Sequence, residues 1–223
     1  MTAAELRKAN MEEKIKRTIA ALDRHNIDAY YAETLEDVSK LAMSFVEPGS
    51  SISCGGSETL KECGILEKLR SGEYNFLDRR AEGLSREQSE ELERSAFFAD
   101  VYFTSSNAIT ENGELYNVDG NANRVAAICY GPKKVIVIAG ANKLVRDLDE
   151  AALRIKSIAA PCNTQRLNMD TPCQKLGECA GIGRRMTDGC IGAQRICCQY
   201  LVTGYQRKRG RIHVILTAET LGY

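Results

Sequence analysis

Carboxylates, an arginine and a run of amides and hydroxyls lie between Ala99 and Gly140, in ADVYFTSSNAITENGELYNVDGNANRVAAICYGPKKVIVIAG. Glu111 and Asp119 have the chemistry of a general base or a nucleophile. Ser106, Asn107, Asn121 and Asn123 can bind hydroxyl or carboxylate oxygens. Arg124, with Lys143 just beyond, can hold an anion, the arginine in bidentate fashion. Asp119-Gly120 also fits a plain turn, and Arg124 a plain cap or ion pair. VYFT and VIVIA read as strands at the two ends of the stretch. Loops at the ends of buried strands are where a rigid sheet positions polar groups, so a binding face is expected here. No Ser/His/Asp arrangement is expected, because His25 and His213 both lie far from this block in the chain.

A second wall is expected at SSISCGGSETLKECGIL. Ser51 to Ser53 reads as a brief strand, Gly55-Gly56-Ser57 as a turn, and Leu60 to Leu66 as helix. A strand, a glycine turn and a helix can aim backbone N–H groups at an anion. A tight turn needing positive φ explains the two glycines equally well, and the Walker spacing with its lysine is absent. Cys54 reads as a small buried filler.

From Ala160 the character changes. Cys162, Cys173, Cys179, Cys190, Cys197 and Cys198 are spaced C-x10-C-x5-C-x10-C-x6-C-C. A stretch so poor in apolar side chains needs a staple to offset its ordering entropy. Thiolates converging on zinc or on a [4Fe–4S] cluster would supply one. The spacing matches neither the paired C-x2-C zinc pattern nor the ferredoxin run, and reduced thiols without metal are the alternative. Cys198, adjacent to Cys197, is the spare.

The elements that must position these groups alternate in type. Met11, Ile15, Ile19 and Leu22 keep helical spacing over about residues 3–25, and IDAYYA follows as a strand. Thr34 opens a second helix that Pro48-Gly49 ends, and YNFLDR is another strand. Ser85 with Gln88 forms a capping-box pattern for a charged helix reaching Phe98, and Asp147 to Ile158 is a further helix. Such alternation predicts an α/β fold, a mainly parallel sheet with helices on both faces and VIVIA as a central strand. Gln199–Tyr205 and Arg211–Leu216 are expected as a hairpin joined by the basic turn RKRGR. The expected organisation is a core over 1–160, a Cys-rich segment over 161–198 and a hairpin over 199–223 that returns to the core.

The 223 residues include 30 basic and 30 acidic side chains, so no overall field draws the chain to nucleic acid or a membrane surface. No apolar run approaches a membrane span, and the charged start MTAAELRKANMEEK lacks a signal core. Nine cysteines, an odd number, argue for reduced thiols or metal rather than disulfides, and a cytoplasmic location is expected. Homo-oligomer contact through the first helix is a lesser expectation.

SCGGSETL, SSNAITENGELYNVDGNANRVAA, YGPKKVIVIAGANKLVRDLDEAALRIKSIAAP, the cysteine segment and LTAETLGY resemble the lactate-utilisation (LUD) domain family over nearly the whole chain. Its best-known members are small subunits encoded with iron–sulfur proteins for lactate oxidation. The resemblance implies an α/β fold of the sugar-phosphate isomerase/CoA-transferase type with a Cys-rich C-terminal appendage. In folds of this type ligands with phosphate or carboxylate groups sit at the C-terminal ends of the parallel strands, so a small anionic metabolite (a hydroxy acid, a sugar phosphate or a CoA-like molecule) is expected at Gly55, Gly56, Ser57 and the 104–124 block. Iron–sulfur lactate-oxidation subunits are the implied partners. The family pattern C-x5-C-x2-C-x6-C is matched by Cys173, Cys179, Cys190 and Cys197, except that AGIGRRMTDG replaces the two-residue spacer; Cys162 could substitute for one ligand. A non-catalytic regulatory or partner subunit holding zinc or a cluster is the alternative function.

Overall fold

In the computed structural model, which describes residues 1–223, segments apolar on successive residues become central strands and amphipathic segments cover them. The strands are β1 (Asp28–Tyr31), β2 (Ser51–Cys54), β3 (Asn75–Phe76), β4 (Val101–Thr104), β5 (Ala108–Thr110), β6 (Leu115–Asp119), β7 (Lys134–Gly140), β8 (Leu144–Val145), β9 (Gln199–Thr203) and β10 (Ile212–Thr217). The helices are α1 (Ala3–Arg24), α2 (Leu35–Ser44), α3 (Glu58–Glu62), α4 (Ile65–Leu69), α5 (Arg86–Ser95), α6 (Asn123–Cys129), α7 (Leu148–Arg154), α8 (Ala160–Arg166) and α9 (Pro172–Leu176). A six-stranded sheet runs β1-β10-β7-β4-β2-β3 with every pairing parallel, and a four-stranded sheet runs β8-β5-β6-β9.

The layering follows from strand pleating, which sends successive side chains to opposite faces. In β7, Val135, Val137 and Ala139 pack with Ile15 and Leu22 of α1 and Ile128 of α6. Ile136 and Ile138 pack on the other side, with Val38 of α2, Leu60 of α3 and Ile65 of α4. The expected α/β sheet with helices on both faces is what forms. Thr34 and Ser85 cap α2 and α5 through full capping boxes.

Three features differ from expectation. The polar block after Thr104 is not a loop: β5 and β6 pair antiparallel inside it. Their connection turns at Gly113, whose φ of 97° suits glycine and whose missing Cβ lets the backbone of α1 come close at Ala21. Second, the last two strands form no hairpin. β9 is half-exposed and pairs antiparallel with β6, whereas β10 is buried along its length and lies between β1 and β7. A strand apolar on both faces belongs in the middle of a covered sheet, so β10 cannot sit on the exposed edge that β9 occupies. Two arginines of the basic turn between them are engaged internally. Arg209 pairs with Asp23 and Asp28, and Arg211 donates to the carbonyls of Ala127, Ile128 and Pro132.

Third, no boundary falls at residue 160. The helix expected to stop at Ile158 passes from α7 through a π-helical stretch, Ile155–Ala159, straight into α8. The wider π turn accommodates Pro161, which has no N–H for an i−4 carbonyl. The cysteine segment is bound to this helix through buried Lys156. The Lys156 Nζ donates to the carbonyls of Gly181 and Arg185 at 2.7 and 2.6 Å, and the Cys179 N–H donates to the Lys156 carbonyl at 2.8 Å.

Candidate functional site

Because β2, β4, β7 and β10 are parallel, the chain that follows each of them emerges on one side of the sheet. Gly56 to Thr59, Ser105 to Asn107, Lys143, and Gly222 with Tyr223 meet there around a cavity of about 420 Å³. The crevice at the carboxyl ends of parallel strands is the usual ligand position in this class of fold.

Arg124, at the start of α6, organises one wall. Its Nε donates to Asp119 Oδ1 at 2.9 Å, Nη1 to the Ser105 carbonyl at 3.1 Å and to Asn117 Oδ1 at 2.6 Å, and Nη2 to Asn107 Oδ1 at 2.7 Å and the Val118 carbonyl at 3.0 Å. A guanidinium has five N–H donors, so none remains for a ligand. The expectation that Arg124 holds an anion is therefore corrected. It ties β4, β6 and α6 together and sets the shape of the wall. Asp119 is equally occupied, since Oδ2 accepts from the Val125 N–H at 2.8 Å while Oδ1 faces Arg124. Both carboxylate oxygens serve structure.

The other sequence-derived positions divide. Gly56, Ser57, Ser106, Asn107, Asn121, Asn123 and Lys143 all line the cavity. Ser106 does so with its hydroxyl spent, donating to the carbonyl of Ala108 at 2.7 Å. Gly55 lies beneath rather than on the surface: its N–H continues the sheet to the Phe103 carbonyl, and a Cβ there would stand 3.0 Å from Arg124 Cδ. Its use is close approach to the arginine stem. Glu111 is elsewhere, paired with Lys14 at 3.1 Å and Arg17 at 3.6 Å against α1, so it can act on nothing in the cavity. Between Asn121 and Asn123, Ala122 holds φ at 65°, a left-handed value costly for a residue with a Cβ. His25 and His213 are both outside the cavity, and burial pushes the Cys54 thiol up to about 11, as suits a core filler.

The electrostatics of the cavity come mostly from residues that the sequence did not single out. Arg79, Arg80, Arg166 and Arg195 join Arg124 and Lys143 on its walls, against Glu58, Glu93 and Asp119. Each carboxylate already has an arginine: Asp119 has Arg124, Glu93 has Arg79, and Glu58 has Arg166. Arg80, Lys143 and Arg195 are left without an ion-pair partner. Arg195 donates to the backbone carbonyls of Thr187, Cys190 and Cys197 and to the Tyr200 hydroxyl oxygen, spending four of its five N–H groups. Arg80 lies over Gly56, where a Cβ would come within 2.6 Å of Nη2; burial and its neighbours Arg79 and Arg166 lower its proton affinity. The doubled arginine Arg79-Arg80, at the end of the expected YNFLDR strand, was the available signal. Lys143 is 4% exposed, donating to Thr59 Oγ1 at 2.7 Å and Ser105 Oγ at 2.8 Å. Burial, then Arg154 and Arg124, push its amine down to about 7.

Cys173, Cys179, Cys190 and Cys197 line one small cavity of about 20 Å³, room for roughly one water-sized body. Burial, followed by Cys197 and Cys173, pushes the Cys190 thiol up. The donor set is of the type zinc takes. As arranged, no three His, Cys, Asp or Glu side chains stand close enough together to hold an ion. Cys162 is not on this cavity's walls; its neighbours are Arg154 and Tyr223.

No helix is long and apolar enough to cross a membrane. A DUF162 family protein from Deinococcus radiodurans has a similar solved structure, with a TM-score of 0.50, 14% identity, and coverage of 94% of this chain and 98% of that one. eIF2B beta from Chaetomium thermophilum shares a TM-score of 0.35 and 15% identity over 52% of this chain and 44% of that one, too slight a likeness to carry an argument. No curated protein matches the chain. The family model that does match, the LUD domain, spans residues 15–217, and the chain belongs to that family.

Proposed function

We propose that the protein binds a small anionic metabolite in the cavity at the carboxyl ends of β2, β4, β7 and β10. One observation carries this reading: all three side-chain carboxylates on the walls are already paired, which leaves Arg80 as a cation with no side-chain partner, beside Arg195, which has no ion pair, and the buried Lys143 amine, which an arriving anion would help to protonate. Unpaired cations gathered in a concave site are costly until an anion joins them, and that cost is returned on binding. Asn121 and Asn123 add amide groups for hydroxyl oxygens. The lactate-utilisation context of the family supports a hydroxy acid first, with a sugar phosphate or CoA-like molecule as the other classes of this chemistry. Iron–sulfur lactate-oxidation subunits are the partners that context supports, and self-association remains part of the proposal. A thermal-shift and calorimetric screen of lactate, other hydroxy acids, sugar phosphates and CoA tests it. Binding that weakens on Arg80→Ala supports the reading, and a screen in which nothing binds ends it.

The four cysteines around one small cavity support a second element, a regulatory or partner role in which Cys173, Cys179, Cys190 and Cys197 hold one structural zinc. The small cavity suits a single ion better than a four-iron cluster. Closing on it would need the thiols to draw together, which the long Ala180–Gly189 loop permits. Metal analysis after anaerobic purification decides: stoichiometric colourless zinc supports the staple, brown protein supports a [4Fe–4S] cluster, and metal-free folded protein removes both.

A further inference from the structure

A buried lysine ordinarily meets a carboxylate, because an unpaired ammonium in the interior is expensive. Lys143 has none. Its Nζ bonds two neutral hydroxyls, Thr59 at 2.7 Å and Ser105 at 2.8 Å. Those hydroxyls spend their own protons elsewhere, on the carbonyls of Leu221 and Ser106, so both accept from the lysine. A neutral amine has two N–H groups. Here both are used, and what remains on the nitrogen is its lone pair.

The surroundings favour that neutral form. Arg124 and Arg154 are the cations whose fields reach Nζ, and both are locked in place, Arg154 by the carbonyls of Asn107 and Asn142. Glu62 and Cys63 act in the opposite sense more weakly, and Glu62 is itself engaged by the Gly222 N–H at 2.5 Å. Gly222, at φ 58°, lies so close that a Cβ would stand 3.4 Å from Nζ and 2.7 Å from Thr59 Oγ1. Lys143 nonetheless lines the same cavity as Arg80 and Arg195. Burial beside other cations is a known way to make a lysine a nucleophile near neutral pH.

We propose that Lys143 is the nucleophile of this cavity, an amine that condenses with the aldehyde or ketone carbonyl of a bound anion to form an imine. The proposal rests on the anion-binding reading above and adds a substrate class to it, carbonyl compounds bearing a carboxylate or phosphate. In the step, the nitrogen lone pair forms a bond to the carbonyl carbon and the C=O π pair moves to oxygen. A proton passes from nitrogen to that oxygen, for which the Thr59 and Ser105 hydroxyls are the nearest carriers. The second nitrogen proton, carried the same way, lets that hydroxyl leave as water while the nitrogen lone pair closes C=N. One water is released, and no oxidant or reductant takes part.

The test is reductive trapping on the full chain. Glyoxylate, pyruvate and dihydroxyacetone phosphate are each incubated with the protein and sodium cyanoborohydride, and the adduct is located by peptide mapping. At pH 7 about half of the Lys143 amine is neutral, against about one part in a few thousand for an ordinary exposed lysine. Labelling of Lys143 is therefore expected to exceed that of exposed Lys61 and Lys133 by about tenfold or more, to reach its midpoint at a lower pH than theirs, and to be competed by lactate. Arg80→Ala should slow the capture of dihydroxyacetone phosphate on Lys143 while leaving that pH dependence intact. Calorimetry on the same anions separates the two claims. Anion binding without a Lys143 adduct, or with one no faster than on Lys61, overturns the imine and spares the anion site. Absence of both binding and adduct overturns the two together.

Discussion

Replacing Lys143 with methionine removes a buried amine at nearly constant volume. The folded side chain titrates near 7 and the free one near 10.5, because burial, then Arg154 and Arg124, disfavour the charge. Between those two values the unfolded chain binds the extra proton. Stability therefore rises with pH across this window, by up to about 1.4 kcal/mol per pH unit, and the penalty is complete below the folded value. The whole window is worth about 3–5 kcal/mol. Against it stand the hydrogen bonds to Thr59 and Ser105, about 1 kcal/mol each. Lys143→Met should consequently be the more stable protein at about pH 6, by about 1–3 kcal/mol, and the less stable one near pH 10. Urea denaturation of both proteins across that range, in buffers free of phosphate and sulfate, reads the difference directly. Those anions must be left out because one bound beside Lys143 would restore its affinity for the proton. A stability difference that stays flat with pH refutes the claim that this amine is depressed, and with it the electrostatic account of the cavity.

Arg124→Ala breaks five hydrogen bonds and strands Asp119, which is 9% exposed; a loss of about 3–5 kcal/mol is expected in urea, and a loss under about 1 kcal/mol would show that the wall stands without it. Ala122→Gly relieves a left-handed alanine and should raise stability by about 1 kcal/mol, measured the same way; destabilisation would mean the turn gains nothing from glycine. Arg80→Ala, which removes no internal hydrogen bond, should leave the unfolding midpoint within about 0.5 kcal/mol of wild type while cutting anion affinity about tenfold or more. Cys197→Ser should lower both zinc content and melting temperature if zinc is held, with Cys162→Ser as the silent control; equal behaviour of the two variants removes Cys197 from any ligand set.

Much of the fold was legible because its signals are local. Successive apolar residues in VIVIA mark a strand covered on both faces, and Thr34 and Ser85 carry their caps three residues away. IHVIL carries the same apolar signal as VIVIA, but its placement between β1 and β7 depends on partners far away in the chain, so a neighbouring strand looked like its mate. The helix looked complete at Ile158 because a π-helical stretch leaves no mark in a 3.6-residue pattern. The site was half legible. Residues 104–124 were recognisable as a polar block at strand ends, and nine of the 21 line the cavity. Which of them face a ligand and which are consumed internally is decided by distances, as the saturation of Arg124 and the pairing of Glu111 with α1 make plain. Arg80, Arg166 and Arg195 reach the cavity from three separate segments, and no spacing within one segment announces that convergence.

The central claim is that Arg80, with Arg195 and the Lys143 amine beside it, waits for an anion. It is tested most directly by the melting temperature of the wild-type chain and of Arg80→Ala against graded lactate, sugar phosphate and CoA at constant ionic strength. Ligand at about one hundred times its dissociation constant stabilises the folded state by about 2.7 kcal/mol, so a rise of about 5–10 °C is expected in wild type for at least one of these anions. The same concentration should move Arg80→Ala far less. Identical curves for the two proteins, or no rise in wild type with any anion, would contradict the account.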